Sequence, residues 1–439
     1  MWKGQNTGID GNPQEPMSGR RRVIHINTAP HLGPVTPEKR ISTIDILRGV
    51  AIFGILVVNV TLDVPWHFLL GKLWPGPADW LAKGLIHFLA SGKFLNLFSL
   101  LFGLSFSLHM GRVEARGIPF LPLYARRLIV LFFIGLAHWL LGWGDIVHFY
   151  AVFGFLLLPF RGSASRRLVI AAFICLLIPH AVGVFVTARH EAQLRHPATA
   201  RQTIRQAAQE VAEEKTQQEQ ALRVYSQGSF PEIVAQRAQE FARSEFSLRT
   251  WLNVFGLSFS SFLLGLYVGR QRILEDVPGH IVFVRRVLWW GLGLGLVGMS
   301  VDVVFGHLMK NPAQPFLTSQ VTSLFWDVGT KALSFFYAAA VVLLAQGETW
   351  KDLLAPLAAV GRMALSNYLF QSLIVAIIIY PYGFGLFGRF GPTQGVILAF
   401  LIFPLQVLLS VWWIRRFRFG PVEWLWRTLT YGKLQPMRV

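Results

Sequence analysis

Cysteine is nearly absent from this 439-residue chain, with Cys175 its sole example. That residue can form no intrachain disulfide. Set in an apolar run, it has none of the neighbours that a thiol nucleophile or a metal site needs. Charge is scarce too, at 15% of positions, and acidic charge scarcest: 23 Asp and Glu against 41 Lys and Arg. So few charges cannot coat a soluble domain. No HExxH, cysteine pair or compact carboxylate cluster occurs, so no metal is expected. The GLGLG at 291–295 follows no strand pattern and reads as helix-packing glycine, not a nucleotide loop.

Apolar residues fill the space instead. They make up 53% of the chain, with 36 Phe and 15 Trp, and mean hydropathy is +0.46. Runs long enough to cross a bilayer predict an all-α, polytopic membrane bundle of about ten spans. These lie near 44–63, 80–109, 124–141, 145–160, 168–186, 251–268, 283–305, 323–344, 354–380 and 395–413, the fourth being the shortest. Arginines gather in alternate loops: Arg40; Arg112, Arg116, Arg126 and Arg127; Arg161, Arg166 and Arg167; Arg270, Arg272, Arg285 and Arg286; Arg415, Arg416 and Arg418. The intervening loops hold little beyond Lys72, Lys310 and Arg389. That bias predicts cytoplasmic termini, and it explains the net charge of +18 as topology and anionic-lipid contact, with no nucleic-acid partner.

The organisation expected is a disordered basic cytoplasmic tail over 1–40, five spans over 41–187, and five more over 251–414. A cytoplasmic amphipathic tail over 415–439 carries an i,i+4 pair, Glu423 and Arg427. Between the membrane halves, 188–250 alternates Arg with Glu and reads as solvated extracytoplasmic helices capping the outer face. Ser229 and Glu232 suggest a capping box within it.

Ionisable residues inside apolar runs are costly, by roughly 2.5–3.5 kcal/mol at a bilayer centre, and so mark candidate sites. His138 ends one run, Asp145 opens the next, and a Trp/Gly corner separates them. A carboxylate beside an imidazole fixes its tautomer and raises its basicity, as a general base requires. His148 is an alternative partner for Asp145, with His67 and His87 weaker ones; a purely structural helix–helix contact is the competing reading. Lys93 lies too deep to snorkel and calls for an anion, from Asp145, Asp302, Asp327 or a substrate, with Asn96 on the same face. Asp327 and Lys331, at i,i+4, are expected to satisfy each other. Asp45 and Arg48 share a face at the start of the first span. Asn59, near its other end, needs a partner or a wet cavity. Arg362 precedes a polar stripe, Asn367 and Gln371.

The segments IDILRGVAIFGILVVNV, KFLNLFSLLFG, GLAHWLLGWGDIVHFYAVFG, GRMALSNYLFQS and FGPVEWLWRTLTYGKLQP together resemble the YeiB-like bacterial membrane proteins, which carry the domain of unknown function 418. The resemblance implies a bacterial inner-membrane, multi-pass protein. More distantly, that family is similar to transmembrane acyltransferases, including heparan-glucosaminide acetyltransferase and the sugar O-acetylases. Asn59 matches a catalytic asparagine of the heparan enzyme by its place in the LRG…VN pattern. That enzyme's histidine has no counterpart at matching spacing, so His138 would supply it from another helix.

Three readings follow. In an acyltransferase, His138 and Asp145 act as the base, Asn59 steadies the oxyanion, and Arg48, Arg126 or Arg362 meets the phosphates of an acyl-CoA co-substrate; Lys93, Asn96, His148, Asn367 and Gln371 line the substrate path. The acceptor is an extracytoplasmic hydroxyl or amine. In a transporter, the same His/Asp/Lys set relays protons. In a scaffold, the ion pairs are structural. Membrane lipid is a partner in all three, no cofactor is tightly bound, and an oligomer is compatible with each.

Overall fold

The first apolar run folds as the hub of the bundle. In the computed structural model, which describes residues 41–62, 76–117, 119–142, 145–245, 247–308 and 316–438, α1 (Ser42–Thr61) is ringed by other helices. The tail over 1–40, His67, Lys72, Trp143 and Lys310 lie outside the described residues. The chain continues through α2 (Pro77–Leu89), α3 (Lys93–Glu114), α4 (Phe120–Leu141) and α5 (Val147–Leu157), then α6 (Ser165–Arg195). A polar hairpin of α7 (Pro197–Gln227) and α8 (Phe230–Glu245) separates these from α9 (Leu248–Arg270), α10 (Ile281–Val301), α11 (Phe316–Leu344), α12 (Glu348–Arg362), α13 (Ala364–Ile379), α14 (Pro392–Ile414) and α15 (Pro421–Tyr431). The fold is all-helical, and the described residues contain no strand beyond an isolated bridge between Phe417 and Arg438.

Among the described residues, eight helical stretches are long and apolar enough to cross a membrane, and α12 with α13, bent by 77°, makes a ninth if counted as one span. The expected fourth span is shorter than predicted. Its helix runs for only 11 residues before a 3-10 turn at Leu158–Gly162, where Pro159 has no N–H to continue the ladder. Large apolar side chains face outward all around the bundle, among them Phe133, Phe173, Trp289, Trp290 and Leu408. Water would not tolerate such a surface, and lipid does. This is a multi-pass membrane protein.

Bare backbone contact sets the tightest helix pairs. A Cβ on Gly103 of α3 would overlap the Phe262 carbonyl of α9, and one on Gly265 of α9 would overlap the Leu100 carbonyl of α3. Gly49 and Gly361 do the same for α1 and α12. Small residues let helices associate in lipid, where dispersion and backbone proximity replace the hydrophobic drive.

The last helix, α15, is amphipathic but its acid points inward. Glu423 accepts the backbone N–H of Leu365 (2.7 Å) and of Ser366 (3.1 Å) and the Ser366 hydroxyl, capping α13. The expected partner, Arg427, instead stacks on Phe419. Two unsatisfied helix-start amides outweigh one i,i+4 pair worth about 0.2–0.5 kcal/mol. Burial raises the Glu423 carboxyl above the ordinary glutamate value of 4.5, against the lowering effect of its hydrogen bonds. An acid raised in the folded state favours folding when protonated, so its contribution is full below 4.5 and lost as pH rises through the folded value. Wild type should therefore lose apparent Tm across that rise, whereas Glu423→Gln, which keeps the caps and does not titrate, should flatten the slope. Parallel slopes in a pH series of thermal melts would contradict the assignment.

Candidate functional site

His138 sits in the last turn of α4 and Asp145 just before α5, so the corner between these helices brings them together. His138 Nδ1 lies 2.8 Å from Asp145 Oδ1. His148, one turn on, puts its own Nδ1 at 2.8 Å from Asp145 Oδ2 and donates its backbone N–H to the same oxygen at 2.8 Å. The three residues are 5%, 6% and 1% exposed. Gly135 makes the approach feasible: a Cβ there would fall 2.5 Å from the His148 nitrogen and 2.7 Å from Asp145 Oδ2. The sequence allows either His138 or His148 as the partner of Asp145, and the carboxylate takes both.

This arrangement fixes chemistry. An ionised carboxylate only accepts, so each imidazole presents Nδ1–H to it and keeps the lone pair on Nε2. His138 Nε2 is buried and has no hydrogen-bond partner among the described residues. Asp145 thus holds one edge of the ring, while the other edge is enclosed and uncommitted. Both Nδ1 atoms are committed to Asp145, and no group of three His, Cys, Asp or Glu side chains placed to hold a metal occurs among the described residues.

Aromatic groups wall the pair off. The Tyr368 ring of α13 lies 5.0 Å from that of His138, and Trp139 stands edge-on to His148 at 5.7 Å. The polar hairpin supplies a roof: Phe241 of α8 meets His148 at 5.7 Å and Trp139 at 5.5 Å. The Arg237 guanidinium of α8 donates to the Leu140 carbonyl (3.2 Å), and the Arg237 backbone carbonyl accepts from the Trp139 indole (3.3 Å). Nothing local in the sequence singles out Arg237, one of many Arg in a Gln- and Ala-rich stretch. The hairpin is anchored by Ala221, Tyr225 and Ile233 against Ala376, Ile379 and Tyr380 of the membrane bundle. Ser229 and Glu232 form the contact expected at the start of α8.

A second polar cluster lies among α2, α3, α9, α10 and α11. Lys93 is fully buried, yet its ammonium donates to the His87 carbonyl at 2.8 Å and forms no ion pair among the described residues. Among its expected partners, Asp302 bonds His87 Nε2 at 2.7 Å, on the residue whose carbonyl Lys93 holds. Asp327 does not pair with Lys331. It takes His180 Nε2 at 2.8 Å, while Lys331 donates to Asn96 Oδ1 (2.9 Å) and the Leu257 carbonyl (2.6 Å). Asn96 Oδ1 also accepts from Ser261 (2.9 Å). His87, weighed only as an alternative near the corner, thus belongs to this cluster. Sequence reasoning misses His180 and the role of Asp302 because their partners lie 147 and 215 residues away.

The remaining expected residues are dispersed. Arg48 pairs with Asp45 at 3.0 Å and reaches Ser105 at 2.6 Å, at one end of α1. Arg362 closes α12, close behind the Gly361–Asp45 backbone contact. Asn367 and Gln371 do form a stripe: Asn367 bonds Ser410 (3.0 Å) and Val360 (3.1 Å), and Gln371 bonds Gln406 (2.7 Å). The bonds to Ser410 and Gln406 stitch α13 to α14, and the bond to Val360 ties it back to α12. Asn59 is half-buried on α1, and no hydrogen bond joins it to His138, Asp145 or His148 among the described residues.

Comparison with known proteins places these features in a lineage. The chain is 35% identical to "Uncharacterized protein YxaH" of Bacillus subtilis (strain 168) over 424 residues, covering 92% of this chain and 98% of that protein. The model of a family described as "Protein of unknown function (DUF418)" matches residues 268–433. The chain belongs to this family. "Uncharacterized protein YeiB" of Escherichia coli (strain K12) is 27% identical over 418 residues, covering 90% of this chain and 97% of that protein. The "Uncharacterized 39.9 kDa protein in amylase 3'region" of Bacillus acidopullulyticus is 26% identical over 424 residues, covering 92% of this chain and 98% of that protein. Within the family match lie α10 to α15, including Asp302, Asp327, Lys331, Tyr368 and the Glu423 cap. The His138–Asp145 corner lies outside that match.

Proposed function

We propose that this family member is an acyltransferase of a bacterial inner membrane. The observation that supports it is the Asp145-held His138, whose buried Nε2 has no hydrogen-bond partner among the described residues. That nitrogen takes a proton from an acceptor hydroxyl or amine as the acceptor attacks the carbonyl of an acyl-CoA. The new C–O or C–N bond forms, the C–S bond breaks, and His138 returns the proton to the CoA thiolate. The loop-arginine count favours an extracytoplasmic α4–α5 corner, beneath the hairpin roof, so the acceptor arrives there. Asn59 is assigned the oxyanion by its LRG…VN position alone.

In detergent-purified protein, acetyl-CoA should raise the apparent Tm of wild type and of His138→Ala alike, since the base is not the binding determinant. Acyl transfer, followed as released thiol, should fall about 10²–10⁴-fold in His138→Ala. Transfer at the wild-type rate by that variant would sink the base assignment. A second reading, proton-coupled transport, draws on the two other imidazole–carboxylate contacts, His87–Asp302 and His180–Asp327. Stabilisation by free solutes and by no CoA thioester would favour it instead.

A further inference from the structure

Positive charge gathers where α3, α4 and α15 meet, and part of it is unmatched. The Arg127 guanidinium lies over the Trp426 ring, 3.9 Å from its centre, and the Trp426 indole is pinned by donating to the Arg127 carbonyl at 2.9 Å. Stacking on an aromatic face orients a guanidinium and leaves its in-plane N–H groups for an acceptor. Among the described residues, neither Arg127 nor its neighbour Arg126 forms an ion pair or a side-chain hydrogen bond. Arg126 is exposed, and its guanidinium rests beside Gly432, just past the end of α15. His109, near the end of α3, has its ring 6.4 Å from that of Tyr124, one turn before Arg127, and lies in the field of the Arg127 and Arg427 charges. Its Nε2 and the Tyr124 hydroxyl are both buried with no hydrogen-bond partner among the described residues. Arg127 and His109 are themselves only half-buried, so an anion reaches them without any helix moving.

Two guanidinium groups and an imidazole N–H are donors, and the planar arginine fork matches the oxygens of a phosphate. The same two helices also present apolar surface. Leu121 of α4 and Leu425 and Leu429 of α15 face outward at 45%, 44% and 44% exposure, which suits an acyl chain and is of no use to a water-soluble phosphate. We infer that Arg126 and Arg127, with His109 beside them, form a phosphate site that holds the headgroup of an anionic phospholipid, its chains lying along Leu121 and the outer face of α15. The loop-arginine count predicts that this end of the bundle is cytoplasmic, where the leaflet supplies such lipids. The site lies toward the opposite end of α4 from His138, and it does not depend on the acyl-transfer reading.

The test uses the full chain in a maltoside detergent, with thermal melts after addition of phosphatidylglycerol, phosphatidylcholine or acetyl-CoA. Phosphatidylglycerol should raise the apparent Tm of wild type above its value in phosphatidylcholine by about 1–3 °C at tenfold excess over Kd. The double variant Arg126→Gln, Arg127→Gln should lose that difference. Arg166→Gln with Arg167→Gln, which removes the same charge from two exposed positions at the start of α6, should keep it. His138→Ala should keep it too, which separates lipid binding from the acid–base reading. No difference in wild type, or an undiminished difference in the 126/127 variant, would overturn the site. An equal loss in the 166/167 variant would also overturn it, by showing diffuse attraction to the charged surface. A shift by acetyl-CoA that needs Arg126 and Arg127, with none by phosphatidylglycerol, would assign the arginines to a soluble phosphate and overturn the lipid. If the double variant does not fold, Arg126→Gln alone should reduce the difference, and an undiminished one overturns the site equally.

Discussion

Asp145→Ala is expected to lower the stability of the detergent-solubilised protein by about 3–5 kcal/mol, read as a fall in apparent Tm. The carboxylate receives three N–H donors, from His138, from the His148 ring and from the His148 backbone. All three are enclosed, so none finds water when the acceptor goes, and each stranded donor costs about 1–3 kcal/mol. His138→Ala should cost less, because it removes one donor and leaves Asp145 its two bonds to His148. Asp145→Asn should fall between Asp145→Ala and wild type: its single carbonyl oxygen can serve the His148 backbone, but its NH₂ faces a ring N–H. The order Ala below Asn below wild type is the signature. Equal stability of Asp145→Ala and wild type would mean that the corner is held by its aromatic walls alone.

The second large effect is steric. Gly103→Ala should prevent α3 and α9 from closing, with a loss beyond the ~1–3 kcal/mol typical of overpacking, since the added methyl overlaps the Phe262 carbonyl and backbone cannot rotate aside. The control is Gly293→Ala on α10, where a Cβ meets nothing within 4 Å. There the same substitution should be neutral or stabilising by up to ~1 kcal/mol, the ordinary helix preference for alanine. The two variants thus differ in sign, and the yield of monodisperse protein together with the melting curve distinguishes them. Matching behaviour would show that the α3–α9 contact is looser than its geometry states.

Local contacts are what a chain discloses before it folds. Asp145 and its histidines are legible in the sequence for that reason: i,i+3 on one side and a short corner on the other. The spans are legible because lipid demands continuous apolar surface. Local pairing fails where long-range competitors exist. Asp327 with Lys331 and Glu423 with Arg427 both have the favourable spacing, yet His180 draws one acid and the start of α13 draws the other. Helical spacing tells which groups share a face, whereas the partner on the opposing helix is a property of the packing. Arg237 illustrates the limit: its surroundings in sequence are those of a solvated helix, and only the docked hairpin buries it.

The glycine contacts have a mechanical meaning. They weld α3 to α9 and α1 to α12 into stiff two-helix planks, because sliding within a plank would force one backbone to climb over another. Elsewhere in the bundle, helices are joined by buried polar bonds instead: Lys331 of α11 to Asn96 of α3, His87 of α2 to Asp302 beyond α10, His180 of α6 to Asp327 of α11. Such bonds can break and re-form in a new register, whereas a carbonyl pressed against a glycine has no second position.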